Sequence, residues 1–164
     1  MLSMWPVIQK PYFCGPACLK MVLRHYGIKS PRQGELAKLC RSKAYRHANT
    51  GTAGKNILAA GKSFGLDGFL QDMSTFGELR GWVEKKKVPV IVSWFAFDEG
   101  HYSVAVKVTT RKIYLQDPEL GHIRVMDKPK FLRLWFDYSG AFIREKKDVH
   151  VRRMIVLYPK KKKS

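Results

Sequence analysis

Cysteine is scarce in this chain: Cys14, Cys18 and Cys40 are the three in 164 residues. An odd number with one close pair does not make the disulfide framework of a small secreted domain, so a reduced intracellular protein is expected. Acidic residues are also few, 13 against 31 Lys and Arg, which leaves a formal charge of +18. Such a surface attracts anions, so an anionic partner (nucleic acid, acidic peptide or anionic lipid) is one expectation, although charge by itself specifies neither partner nor fold. No segment approaches the roughly 18 uninterrupted apolar residues of a membrane span. The first ten residues lack a basic start followed by a long apolar stretch, so no secretory signal is read and cytoplasmic residence is the default expectation. There is no internal repeat.

What is present suffices for a core. The chain is 45% hydrophobic and 12% aromatic, with Trp5, Trp82, Trp94 and Trp135 spread along it. One domain over residues 1–158 is expected, followed by a basic, disordered tail over 159–164, because runs of like charge repel and stay solvated. In the first half, apolar residues recur at Ala17, Leu19, Met21, Val22 and Leu23, with Pro16 in the first turn and Gly27 as the stop, which predicts a helix over 16–26. A second helix opens at Ser30-Pro31, and a third follows Gly51-Thr-Ala-Gly54 and ends near Gly65. A strand is read at 66–72 and a helix from Ser74 to about Lys86. The second half changes period: Val90 to Phe95, Tyr102 to Val108, Ile113 to Gln116 and Val151 to Tyr158 read as strands, with a short helix after Asp127. Helices first and antiparallel strands afterwards define an α+β domain.

Chemistry gathers around Cys14. A thiol at the mouth of a helix lies beside free N–H groups and the positive end of the backbone dipole, which favour thiolate. A lone cysteine is more often a small buried hydrophobe, so it needs partners. His101 follows the loop Phe97-Asp-Glu-Gly100 and leads a strand, where its ring can act as general base and then general acid. His25, His47, His122 and His150 sit in a helix, a basic loop, after a turn and beside a strand end, and read as structural or solvated. A hairpin across Thr109-Thr-Arg-Lys112 brings Asp117 back toward His101, where a carboxylate can orient the imidazole; the alternative for Asp117 is a turn cap before Pro118. Gln9, on an extended segment five residues before Cys14, can donate an amide N–H to an oxyanion.

The order Gln9…Cys14-Gly-Pro-Ala-Cys-Leu-Lys-Met-Val-Leu-Arg-His-Tyr-Gly, then Gly-His101-Tyr-Ser-Val-Ala-Val, then Ile-Tyr-Leu-Gln-Asp117-Pro resembles the papain-like cysteine peptidases that process double-glycine leader peptides of bacteriocins. The resemblance extends over Gly51-Thr, the stretch from Gly65 to Phe95 and Phe131…Trp135. It implies a papain-like peptidase fold, N-terminal helices packed on a C-terminal antiparallel sheet, in a stand-alone form without the ABC exporter. It implies Cys14 as nucleophile, His101 as base and acid, Asp117 as orienting acid and Gln9 as oxyanion donor, with a peptide or protein substrate cleaved after small residues such as Gly-Gly. The competing readings are a non-catalytic peptide- or nucleic-acid-binding module on the same fold and a triad-based acyl transferase.

No metal and no cofactor are expected. A zinc site would need a second compact ligand pair beside Cys14 and Cys18. A phosphate loop fails on spacing, because Asn56 stands where the leading glycine before Gly61-Lys-Ser63 should be. Cys18 is expected to pack behind the nucleophile.

Overall fold

The computed structural model describes residues 1–43, 51–96 and 98–160; His47 and the tail from 161 onward lie outside the described residues. The first helix, α1 (Cys14–His25), begins two residues earlier than predicted. Pro16 costs nothing there, because the first N–H groups of a helix have no intrahelical partner. Its inner face is fully buried through Ala17, Cys18, Leu19, Met21, Val22 and Leu23. It stops where Gly27 takes φ 70, with Gly27 N–H bonding the Arg24 carbonyl at 3.0 Å and Ile28 N–H the Leu23 carbonyl at 2.9 Å, a Schellman ending that a glycine makes cheap.

Helices α2 (Gln33–Leu39) and α3 (Gly54–Ser63) follow, then β1 (Leu66–Gln71). Helix α4 (Phe76–Arg80) starts one residue later than Ser74 would have set it. Thr75 is the cap: its hydroxyl accepts from Glu78 N–H at 3.1 Å while the Glu78 carboxylate accepts from Thr75 N–H at 2.7 Å. The helix expected to reach Lys86 widens after Arg80 into one π turn, Gly81–Lys85.

The remaining elements are β2 (Val90–Ala96), β3 (Glu99–Val108), β4 (Lys112–Asp117), β5 (His122–Asp127), α5 (Lys128–Leu134), β6 (Phe136–Tyr138), β7 (Val149–Val151) and β8 (Met154–Pro159). Three corrections belong here. Strand β5 was not read from the sequence. The single strand expected over 151–158 is broken at Arg152, where φ is 50, into β7 and β8. Asp127 occupies the cap position of α5 but makes no capping bond with its side chain.

Six strands form one antiparallel sheet in the order β1-β8-β2-β3-β4-β5, and β6 pairs with β7 in a second, two-stranded sheet. Helices α1 and α3 cover one face of the large sheet, meeting Val104, Val106, Ile155 and Leu157. The other face carries Val90, Val92, Ala105, Met154 and Val156 beneath Phe76, Leu79, Val83, Phe131 and Trp135 from α4, the π turn and the α5 region. Adjacent residues thus go to opposite layers, so β2 and β8, buried on both sides, read as unbroken apolar runs. The N-terminal helices pack on the sheet as expected, and the later helices cover its reverse.

Candidate active site

Cys14 is the first residue of α1 and lines a cleft of about 780 Å³ together with Gln9, Thr52, Gly100 and His101. Its neighbour Gly15 lets the wall close in: a Cβ there would stand 2.9 Å from Ile57 Cδ1 and 3.0 Å from Thr52 Cβ. Cys14 is nearly covered, with 9% of the residue exposed.

His101 comes from β3. The loop expected before it is shorter than predicted: Ala96 and Glu99 are already paired, and His101 is the third residue of its strand. Its Nε2 lies 2.8 Å from Asp117 Oδ1, leaving Nδ1 for the Cys14 side. Burial disfavours the charged ring, but hydrogen bonds with Asp117 and Cys14, and the negative charges of both, outweigh it and push the His101 pKa up to about 10. The Trp94 indole meets the ring edge to face, 5.7 Å between centroids, and is itself fixed by Nε1–H donating to Ser103 Oγ at 3.0 Å.

Asp117 closes β4. The β3–β4 hairpin, with Val104 opposite Gln116, returns it to His101 as predicted. The carboxylate is fully buried and saturated: Oδ1 accepts from His101 and from Glu119 N–H at 3.0 Å, and Oδ2 from Arg124 Nε at 2.7 Å. Burial alone would raise its pKa; the His101 bond and charge, the Arg124 bond and the Glu119 amide overcome that and hold it down at about 2. His101, Asp117 and Glu119 bring ligand atoms within 4.8 Å of one another, a spacing metal ligands also show. The Arg124 guanidinium, however, already supplies the cation beside Asp117.

Gln9 lies on the extended segment before α1, and that segment is clamped from two sides. Its own N–H donates to the Pro118 carbonyl at 2.8 Å, next to Asp117. The Gln33 amide of α2 donates to the Ile8 carbonyl at 2.6 Å and accepts from Lys10 N–H at 3.0 Å. Gln9 thereby faces the same cleft as Cys14 and His101. Tyr12, two residues before Cys14, carries φ 66, backbone strain of the kind that collects at functional sites.

The four residues singled out from the sequence are thus brought together, three on the cleft wall and Asp117 behind His101. Cys18 is fully buried and Cys40 lies in the core; burial pushes both thiols up, Cys40 to about 12. His25 bonds the Ser3 carbonyl, whereas His150, read from the sequence as structural or solvated, lines the cleft beside Ser139. Arg124, Gln33 and Trp94 were missed, because each acts through a contact between elements distant in the chain pattern.

A thiol at a helix mouth, facing an imidazole backed by a buried carboxylate on an α+β frame, is the arrangement of a cysteine peptidase. The chain belongs to the peptidase C39 family, which matches residues 7–147. It is 33% identical over 116 residues to an uncharacterized protein of Methanothermobacter thermautotrophicus, covering 71% of this chain and 72% of the relative. Among solved structures it resembles the peptidase domain of Streptococcus ComA, a bi-functional ABC transporter involved in quorum sensing, with TM-score 0.70, 21% identity and coverage of 98% of this chain and 100% of that one. It also resembles a double glycine motif protease from an AMS/PCAT transporter, solved with its leader peptide, at TM-score 0.68, 20% identity and 97% and 94% coverage. Family and fold make this chain a peptidase of the papain-like α+β class, and no helix among its described residues is long and apolar enough to cross a membrane.

Proposed function

We infer that the chain hydrolyses peptide bonds through Cys14, His101 and Asp117, with Gln9 as oxyanion donor, and that it cleaves leader-type peptides after small residues such as Gly-Gly. The observation that carries this reading is the buried His101–Asp117 bond of 2.8 Å at the floor of the cleft that Cys14 lines. Cys14 passes its thiol proton to His101 Nδ1 as Sγ attacks the scissile carbonyl carbon, and the oxyanion is met by the Gln9 side-chain amide and the Cys14 N–H. His101 gives its proton to the leaving amine nitrogen as the C–N bond breaks, which leaves a thioester on Sγ. Water then attacks that thioester, His101 takes its proton, and the acid product leaves as the thiol is restored. Asp117, anchored by Arg124, keeps Nε2–H of His101 pointed away from the sulfur so that Nδ1 exchanges the proton.

Mass spectrometry after brief iodoacetamide treatment tests the nucleophile. Cys14 is expected to alkylate first and to lose that lead in His101→Ala; labelling of Cys14 no faster than Cys18 and Cys40 removes the assignment. Peptides carrying Gly-Gly before the cleavage point, compared with the same peptides carrying Val-Val, test the specificity. Equal turnover of the two sets would refute it.

A further inference from the structure

One carboxylate in the cleft has no part in the chemistry above. Asp137, in the middle of β6, lines the same cleft as Cys14 and His101. Its carboxylate lies flat against the backbone just before His101: a Cβ on Gly100 would stand 2.0 Å from Asp137 Oδ1 and 2.5 Å from Oδ2. Two donors hold it there, Ser93 Oγ–H to Oδ2 at 2.9 Å and Tyr138 N–H to Oδ1 at 2.7 Å. Both are neutral.

No ion pair closes on the charge itself. Among the described residues no Lys, Arg or His reaches ion-pair distance of Asp137. Arg153 also lines the cleft, but its guanidinium is taken by Asp72 in a two-point bond, Nε to Oδ1 at 2.7 Å and Nη2 to Oδ2 at 2.8 Å. Burial pushes the Asp137 carboxyl up, outweighing the two hydrogen bonds and the charges of Arg153 and His101, which favour the carboxylate without pairing with it. In a chain of net charge +18, a part-buried acid without an ion-pair partner is unexpected, since buried charges are normally paired. Tyr102, beside it, spends its hydroxyl on the Thr52 carbonyl at 3.0 Å.

We propose that Asp137 is a specificity-determining residue that receives an organic cation of the peptide substrate, a lysine or arginine side chain or the N-terminal ammonium, next to the bond held at Cys14. The cation supplies the ion pair that the fold does not close, and Ser93 with Tyr138 N–H fixes the carboxylate to meet it. Gly100 is what makes the acid reachable, because any side chain at that position would take the volume that the carboxylate occupies.

This rests on the cleft being a peptide site, so the measurement uses binding as well as turnover. Short fluorescent peptides are titrated into the Cys14→Ala protein in two matched comparisons: lysine against norleucine at each position flanking Gly-Gly, and a free against an acetylated N-terminus. At one of these positions, or at the N-terminus, the cationic form is expected to bind about 10-fold tighter or more, the size of a charged hydrogen bond. That ratio should collapse toward one in the Cys14→Ala, Asp137→Asn protein, while norleucine peptides keep their affinity. Loss for all peptides alike would mean that Asp137 only supports Gly100, and the proposal fails; equal binding of cationic and neutral forms to the protein with Asp137 intact overturns it as well. If peptides bind with the charge preference but the parent protein cleaves none, the peptidase reading fails and the cation site stands. If none binds, both fail.

Discussion

The two halves of the site are held in different ways. His101 and Asp117 stand on adjacent strands of the large sheet, joined to each other and to Arg124 on β5 by bonds of 2.7 to 2.8 Å between buried or part-buried groups. Gln9 and Cys14 come from an extended segment and the first residue of α1, and Gln9 is placed by backbone bonds to Pro118 and by the Gln33 clamp, part of it exposed. The His101–Asp117 half therefore shares its interactions with the fold, and a change there is expected to disturb stability along with the proposed chemistry. The Gln9 side shares few, and is expected to be altered with little cost to folding.

Breaking the buried half gives the largest effect. Asp117→Ala strands Arg124 and the His101 ring beside a cavity; unfolding in denaturant should show a loss of about 3–5 kcal/mol, together with loss of peptide cleavage. Gln9→Ala is the counterpart: kcat is expected to fall by about 10²–10³ while the thermal midpoint stays within a degree or two of the parent. A variant that loses both, or neither, erases the distinction between the halves. Arg124→Gln comes next, with about 1.5–3 kcal/mol of stability lost and a pH–rate profile whose acidic limb moves up, since the guanidinium no longer holds Asp117 down. Gln33→Ala is the smallest: Gln9 keeps its Pro118 bond, so cleavage should drop by only about 10-fold, read as kcat with unchanged unfolding.

Acid titration sharpens the same contrast. Asp117 has a folded pKa of about 2, below its ordinary value of 3.8, so the stability it contributes is full above about 4 and is lost as the pH falls toward 2. His101, raised from 6.5 to about 10, contributes stability that is full below 6.5 and lost as the pH rises through 10. Asp117→Asn should flatten the acidic side of the stability curve, followed by circular dichroism against pH; an unchanged acidic side would show that the pair is not coupled to folding.

Most of the α+β frame is legible in the sequence, because α1 carries a helical period and β2, β3, β4 and β8 carry runs too apolar for loops. Cys14 and Asp117 are legible for a local reason, since each falls at the end of an element, whereas Gln9 and His101 are picked out with them by the order that resembles the peptidase family. What escaped reading has no local signature. Strand β5, His122 to Asp127, alternates too weakly to announce itself, yet its pairing of Asp117 with His122 is what delivers Arg124 to the carboxylate. Strands β6 and β7 are three residues each, shorter than any periodicity can register, and the place of Asp137 is visible only once β6 folds against β2 and β3. The break at Arg152 likewise depends on Trp135, whose carbonyl accepts the Arg152 N–H at 2.9 Å.

The contact of Gly100 with Asp137 ties two positions that are far apart in the chain into a single volume. A methyl group at 100 and a carboxylate at 137 cannot coexist at the 2.0 Å found here, so the two sites must change together or not at all. Among relatives, the pair should therefore trade size: where the residue before the histidine gains a side chain, the one opposite must shrink, and with it goes whatever charge the cleft offers to its substrate.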